Sequence, residues 1–325
     1  AFNTFSKMKK QLESEEIQCL NDWGGFLSFL PTKPFQWLKT CESKSICIYT
    51  GNQFGKTDMV AMDYLLRIMG RHPVEWKNLK DTETIRTFRF ASEVLPVLGG
   101  DEAGSKNTQY PAIKKRLPPS LLKRDITDKN KTITIRNLSG GPDIYIEFVA
   151  YSQGSGSQAG VHRKSVWLDE SAPRSFFDEQ VPRLMAADGD MVYTMTPEPG
   201  LIGWEFDELY ERAAKIMRTD LVLQRMYKRF GEKHQRVEYT TNKDDIVVIM
   251  AASDDNPIYP ELAAKRGLTV DEYISDKLRL FNADEDVLDA RRYGLFRHLS
   301  GKLFKTYTPS VHQISYDKYF GDASV

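Results

Sequence analysis

The chain has 325 residues, and its 45 Lys and Arg balance 45 Asp and Glu, so the formal charge is zero. That excludes a polycation coating nucleic acid over its whole surface, and any such contact must come from local patches. With 41% hydrophobic, 11% aromatic and 28% charged residues, the composition excludes a disordered chain and supplies a sizeable core, for one large domain or a domain with an appendage.

No repeat of fixed period is visible, which argues against a solenoid or propeller. Cys19, Cys41 and Cys47 are odd in number and lack paired zinc spacing or a Cys-x-x-Cys motif, which argues against a disulfide scaffold or zinc module. No apolar run approaches the roughly 18–20 residues of a membrane span, and the start lacks a basic-then-apolar signal. The simplest expected compartment is a reducing cytoplasm. The opening Ala1 fits a trimmed N-terminus or a cut chain.

In chain order, Phe2 to Glu16 reads as a helix and Trp23 to Gln36 as an irregular, aromatic and proline-bearing loop. Ser45 to Tyr49 is a short β-branched run that predicts a buried strand, running straight into Gly51-Asn52-Gln53-Phe54-Gly55-Lys56-Thr57. Met59, Met62, Leu65, Leu66 and Met69 then recur at helical spacing until Gly70 and Pro73 stop the helix. Thr87 to Ala91 is a second strand. Thr132–Arg136 and Asp143–Val149 flank Ser139-Gly140-Gly141-Pro142 as a hairpin. Ser165–Leu168 and Met191–Met195 are further strands, separated by a helix from Phe176 to Met185. A long charged helix is expected from Trp204 to Gly231, then a strand at Ile246–Met250 and helices through Tyr293. Alternating strands and helices predict a mostly parallel α/β sheet flanked by helices, with a boundary near residues 200–220.

The glycine loop has the form of a phosphate cradle. Successive backbone amides and a helix N-terminus converge on phosphate oxygens, a lysine neutralises charge, and a hydroxyl ligates magnesium. The usual first glycine of the pattern falls on Thr50, so the motif is shifted, and a Gly-Lys-Thr surface turn is the competing reading. Val166-Trp167-Leu168-Asp169-Glu170 is an apolar strand ending in two carboxylates, at the edge where an α/β sheet presents ligand-facing groups. There Asp169 would hold magnesium and Glu170 would accept the proton of an attacking water; the alternative is a strand end followed by an acidic helix cap. The tip of the next strand offers Thr194 or Thr196 as a γ-phosphate sensor, or is simply a Pro-Gly turn.

At these three motifs together the sequence resembles the large subunit of the tailed-bacteriophage terminase. Gly51–Thr57 is similar to the family's shortened Walker A loop, Trp167–Glu170 to its Walker B with catalytic glutamate, and Thr194-Met195-Thr196-Pro197 with Gly200 to its coupling motif. Tyr151, Gln153, Gly154 and Gly160 match a stretch leading into Walker B. Asp255-Asn256-Pro257, Arg292-Tyr293-Gly294, Gly301-Lys302-Leu303-Phe304 and His312 resemble closing segments. The resemblance covers roughly residues 35 to 315.

It implies an ASCE-type P-loop NTPase core with a small α/β lid subdomain, binding ATP and Mg2+ and translocating double-stranded DNA into the procapsid. The expected organisation is an N-terminal arm over 1–35, the core over 36–210, a lid or linker over 211–310, and over 311–325 the start of a connection to a nuclease domain lying outside this chain. Nuclease activity is accordingly expected only of a longer protein. The implied partners are a small terminase subunit, the portal, and further copies in a ring, commonly pentameric, with a monomer possible in isolation. The implied location is the bacterial host cytoplasm, transiently at the portal, and not the mature virion. A helicase-like or other nucleic-acid-dependent P-loop ATPase is the alternative.

Carried onto this chain, the ATP-binding set is Gln36, as an adenine contact, with Gly51, Asn52, Gln53, Phe54, Gly55, Lys56 and Thr57; Lys56 and Glu170 are also catalytic. Thr57 and Asp169 are the metal ligands, and Thr194 and Thr196 the coupling pair. Relatives often have arginine where Asn52 or Gln53 stands and where this chain reads Ser155-Gly156-Ser157-Gln158. The arginine finger is therefore sought at Arg163, with Arg174 and Arg183 behind it and surface ion pairs as the competing role for all three. Two windows are basic, residues 111–136 and 211–236, and they nominate Lys114, Lys115, Arg116, Arg225, Lys228 and Arg229 as duplex-backbone contacts, against a solvated helix face.

Overall fold

The structure is a computed structural model, and it describes residues 22–93, 104–153, 161–197, 203–231, 233–279 and 285–296, with residue 14 besides. The expected helix over Phe2–Glu16, Cys19, the segments Gly154–Gly160 and Glu198–Gly200, and Gly301–Phe304, His312 and the 311–325 connection lie outside these residues.

Among the described residues, ten strands form one sheet. They are β1 (Ser45–Thr50), β2 (Thr87–Ser92), β3 (Leu122–Arg124), β4 (Thr132–Ile135), β5 (Ile144–Ala150), β6 (Ser165–Asp169), β7 (Asp190–Met195), β8 (Lys215–Arg218), β9 (Val237–Tyr239) and β10 (Ile246–Ala251). Their order is β3-β4-β5-β2-β6-β7-β1-β10-β8-β9. The central strands from β5 to β8 run parallel, and β3, β4 and β9 add antiparallel edges. One strand, β7, lies between β1, which feeds the glycine loop, and β6, which ends in the two carboxylates. This is the strand order of the ASCE class.

Strand burial follows from that topology. The β1, β6, β7 and β10 side chains are covered on both faces, which is why these strands read as near-continuous apolar runs. Alternation splits β1 between two cores. Ile46 and Ile48 face one with Phe88, Phe90 and Trp167, while Cys47 and Tyr49 face the other with Leu168, Tyr193 and Val248. Cys41 and Cys47 are buried free thiols, and burial pushes the Cys47 thiol up to about 12.

The helices are α1 (Lys33–Thr40), α2 (Lys56–Ile68), α3 (Gly104–Asn107), α4 (Gln109–Arg116), α5 (Arg174–Met185), α6 (Asp220–Phe230), α7 (Tyr259–Ala264), α8 (Val270–Arg279) and α9 (Glu285–Tyr293). α2 leaves the glycine loop from Gly55 and is buried nearly all round, sandwiched between the sheet and α1 and α4. Its far end is locked by a buried ion cluster. Arg67 reaches Asp63 at 2.6 Å and Asp190 at 2.6 Å, and His72 Nε2 meets Asp63 at 2.9 Å. Asp190 and Ser165 begin β7 and β6, so the cluster ties α2 to the N-terminal edge of the sheet. The functional end of α2 lies at the opposite edge.

Three differences from the sequence reading stand out. Residues 22–27 are helical and α1 begins at Lys33, where an irregular loop was expected. The expected helix from Trp204 to Gly231 is interrupted by β8, whose Ile216, Met217 and Arg218 are buried against β10. The sheet also continues through the expected boundary between residues 210 and 211, since β10 pairs directly with β1. Beyond the sheet, α7 and α8 share a small apolar cluster of Tyr259, Ile274 and Leu278.

Candidate active site

The loop after β1 is shaped by its neighbours as well as by its glycines. The Gly51 amide continues the ladder onto Ala251 of β10 at 3.0 Å, and the Asn52 amide donates to the Arg291 carbonyl of α9 at 2.6 Å. Ser253 Oγ donates to the Asn52 carbonyl at 2.7 Å, and Asn256 Nδ2 donates to the Gln53 carbonyl at 2.7 Å, joined by the Tyr259 hydroxyl at 3.3 Å. These contacts hold Gln53 in the left-handed region at φ 58°. Gly55, at φ 95°, makes the turn into α2. The opening amides of α2 then have no acceptor within the helix and carry its positive dipole end.

Lys56 is the first residue of α2. Its ammonium lies 2.5 Å from Glu170 Oε1 and 2.9 Å from Thr196 Oγ1, while Glu170 Oε2 accepts from the Thr196 amide at 3.1 Å. Lysine, glutamate and threonine thus close a triangle at the C-terminal edge of β1, β6 and β7. Glu170 itself is a non-glycine residue at φ 62°.

Asp169, just before it, is buried. Its Oδ1 accepts from Thr194 Oγ1 at 2.6 Å, and Thr194 Oγ1 also accepts from Trp167 Nε1 at 2.9 Å. Burial pushes the Asp169 carboxyl up to about 6, with Glu170 adding to the rise and Lys56 and Thr194 opposing it. Asp169 is a buried carboxylate held at one oxygen and within electrostatic reach of Lys56, and Thr57 is the next residue of α2; both are hard-oxygen donors of the kind magnesium takes. The donors present therefore fit that ion.

Among the sequence-predicted residues, the structure brings together Lys56, Asp169, Glu170 and Thr196. Thr194 stands differently from the expected phosphate sensor, because it is fully buried and spends its hydroxyl on Asp169 and Trp167. Gln36 lies exposed on α1. A cavity of about 300 Å³ does adjoin the start of α2, lined among others by Phe29, Leu30, Thr32, Met59, Pro257 and Ile258, and Gln36 does not line it. Gly51 is required by packing, since a Cβ there would sit 2.1 Å from the Arg292 carbonyl.

Arg163 is not at the site. It precedes β6, whereas the carboxylates end it, and six residues of strand span roughly 20 Å. Its guanidinium is buried and binds Glu147 Oε2 at 2.7 Å. Arg183 pairs with Glu179 at 3.1 Å, and Arg174 lies over the Trp204 ring and pairs with Asp178 at 2.7 Å.

The nominated DNA contacts are largely committed to carboxylates. Lys114 meets Asp125 at 2.5 Å, Lys115 and Arg116 both meet Asp58, Arg225 meets Asp289 at 2.5 Å, and Arg229 meets Asp286 at 3.3 Å. Lys228 is exposed on the same helix, α6. Five of the six nominated cations are therefore paired, Lys114 with an acid of its own window and the other four with acids from elsewhere in the chain.

With this geometry established, solved structures supply the comparison. The large terminase of a thermophilic bacteriophage is 14% identical, with a TM-score of 0.53 over 82% of this chain and 54% of that one. The large-terminase ATPase domain of Thermus phage P74-26 is 13% identical, with a TM-score of 0.50 over 82% of this chain and 94% of that one. The fold is that of a large-terminase ATPase domain. The chain spans about half the length of the first of these terminases, and a further structure of that same terminase, in complex with ADP, has a TM-score of 0.50 at 13% identity over 79% of this chain and 52% of that one. No family model matches the sequence, and no curated protein does.

The terminase-type sheet places the Lys56–Glu170–Thr196 triangle at its C-terminal edge. Sequence reasoning did not find the groups that clasp the loop from behind, Ser253, Tyr259 and the Arg291 carbonyl. Asn256 was visible only as part of a closing segment resembling the family.

Proposed function

We propose that this chain is the ATPase domain of a viral DNA-packaging motor, hydrolysing ATP with Mg2+ to move double-stranded DNA into a procapsid. The observation that carries the hydrolytic reading is the Lys56–Glu170 pair, closed by Thr196, on an ASCE-ordered sheet. The likeness in fold to large-terminase ATPase domains, including one solved with ADP, supports the choice of ATP and of packaging.

In this reading the phosphates lie at the N-terminus of α2, where the unsatisfied amides and Lys56 attract negative charge. Incoming phosphate competes with Glu170 for the Lys56 ammonium. Released from that pair, Glu170 accepts the proton of the attacking water, and Thr196 keeps the carboxylate oriented through its amide. Thr57 and Asp169 are the residues that would hold Mg2+, which when bound neutralises charge building on the phosphate oxygens. The cavity bounded by Phe29, Leu30, Met59 and Ile258 takes the base. Arg163, Arg174 and Arg183 are each paired with an acid outside the triangle, and in this reading the finger comes from a neighbouring copy in a ring.

Double-stranded DNA, a small terminase subunit, the portal and a pentameric ring at the portal complete the proposal, with action in the bacterial host cytoplasm. The test is Mg2+-dependent ATP hydrolysis, with and without duplex DNA. Loss of hydrolysis in Glu170→Ala with retained nucleotide binding supports the assignment, and hydrolysis at the parental rate in that variant refutes it. Unwinding of duplexes by the chain would instead place it with helicases.

A further inference from the structure

The carboxylate of Glu170 projects from a strained turn, because a non-glycine residue at φ 62° is disfavoured and persists only where its surroundings enforce it. The enforcing contacts are on hand. The Tyr151 hydroxyl donates to the Asp169 carbonyl at 2.9 Å, and Trp204 Nε1 donates to the Ala172 carbonyl at 2.9 Å. The Ala172 amide donates to the Tyr193 hydroxyl at 2.8 Å, which itself donates to Glu205 Oε1 at 2.9 Å. The same Glu205 oxygen accepts from Ser171 Oγ at 2.6 Å.

Glu205 is the hub of this bracket. It is 2% exposed and lies outside the triangle. A Cβ on Gly203 would meet its other oxygen at 2.1 Å, so the backbone is cut back to admit the carboxylate. A buried acid whose described partners are two hydroxyls is costly unless it fixes something. What it fixes is the segment directly after Glu170.

We propose that Glu205 is a positioning residue for Glu170, gripping Ser171 and, through Tyr193, Ala172, so that the Glu170 carboxylate is aimed at the water and phosphate. This rests on Glu170 being the general base. The role is in the chemical step, because Glu205 touches neither Lys56 nor the loop amides.

The experiment compares Glu205→Ala, Glu205→Gln, Ser171→Ala and Glu170→Ala for single-turnover ATP hydrolysis and for binding of a non-hydrolysable ATP analogue. Glu205→Ala is expected to slow the chemical step by about 10–100-fold, with analogue affinity unchanged. Glu205→Gln should recover most of the rate, because its amide oxygen can accept the same two hydrogen bonds. Ser171→Ala, which keeps the Tyr193 bond, should fall between, and with Glu205→Gln it decides the matter if Glu205→Ala does not fold. Parental rates in Glu205→Ala and Ser171→Ala beside an inactive Glu170→Ala overturn the inference alone. So does a Glu205→Gln no better than alanine, or a parallel loss of analogue binding. A fully active Glu170→Ala overturns the reading of the site itself.

Discussion

Lys56 Nζ sits 2.5 Å from Glu170 Oε1, so the loop's lysine and the strand-end carboxylate are directly paired. In the proposed mechanism this pair occupies the general base, and nucleotide phosphate must displace it.

Replacing Glu170 by Gln removes the charge that holds Lys56 while keeping the shape. Hydrolysis is expected to fall by roughly 10²–10⁴-fold, the usual share of a general base. ATP affinity should stay equal or rise, because phosphate then meets a lysine without a competing carboxylate. Lys56→Ala should do the reverse and lose nucleotide binding. Calorimetric titration beside a phosphate-release assay separates the two.

Asp169 makes the nucleotide-free protein sensitive to pH. Its carboxyl is pushed up to about 6 by burial, above its ordinary 3.8, so the folded chain holds this proton more tightly than the unfolded one. The stability it contributes is fully present below about pH 4 and is lost as pH rises through about 6. Ionised at neutral pH, it costs the fold up to about 3 kcal/mol. Asp169→Asn should therefore raise Tm in metal-free buffer at pH 7.5, with the gain shrinking toward pH 4, and abolish Mg2+-dependent hydrolysis. Thermal scans across that range check the sign.

The two loop glycines should fail differently. Gly51→Ala drives a methyl to 2.1 Å from the Arg292 carbonyl and 2.4 Å from Ser253 Oγ, so α9 must shift and stability falls by about 1–3 kcal/mol or more. In Gly55→Ala the nearest atom is 3.7 Å away, and the cost is the left-handed backbone, about 1–2 kcal/mol. Denaturant melts should rank Gly51→Ala as the more damaging.

The nominated cations of α4 and α6 divide by what they already hold. Arg225→Ala takes from the fully buried Asp289 its 2.5 Å partner while Arg229 stays at 3.5 Å, and should cost about 1.5–3 kcal/mol. Lys114→Ala breaks an exposed pair and should cost about 0–1 kcal/mol. If the α6 face tracks duplex DNA, Lys228→Ala leaves stability alone and lowers the salt slope of binding by about 1. An unchanged slope removes that face from consideration.

The central strands and the triangle were legible because they depend on short-range pattern. An apolar run followed by a glycine loop, and another ending in Asp169-Glu170, each state their place at the sheet edge. β8 was not legible, since Lys215–Arg218 is only four residues with charged ends and becomes a strand by pairing with β10. Arg163 misled because closeness in sequence is distance in a strand. Thr194 and Thr196 differ in role because one lies inside β7 and the other just past its end, beside Lys56. The charge windows overstate the unpaired positive charge because partners such as Asp58 and Asp289 come from remote segments. Glu205 carried no signal, since nothing in the sequence marks an acid as buried.

The clasp behind the phosphate loop sets a timetable for biosynthesis. Ser253, which holds the Asn52 carbonyl, is 201 residues downstream of it, and the α9 carbonyl that receives the Asn52 amide comes later still. At roughly 5–20 residues per second, the ribosome needs about 10–40 s to make that span. A nascent chain thus carries this loop without its clasp throughout that interval, and the loop takes its final shape only once α9 has been made.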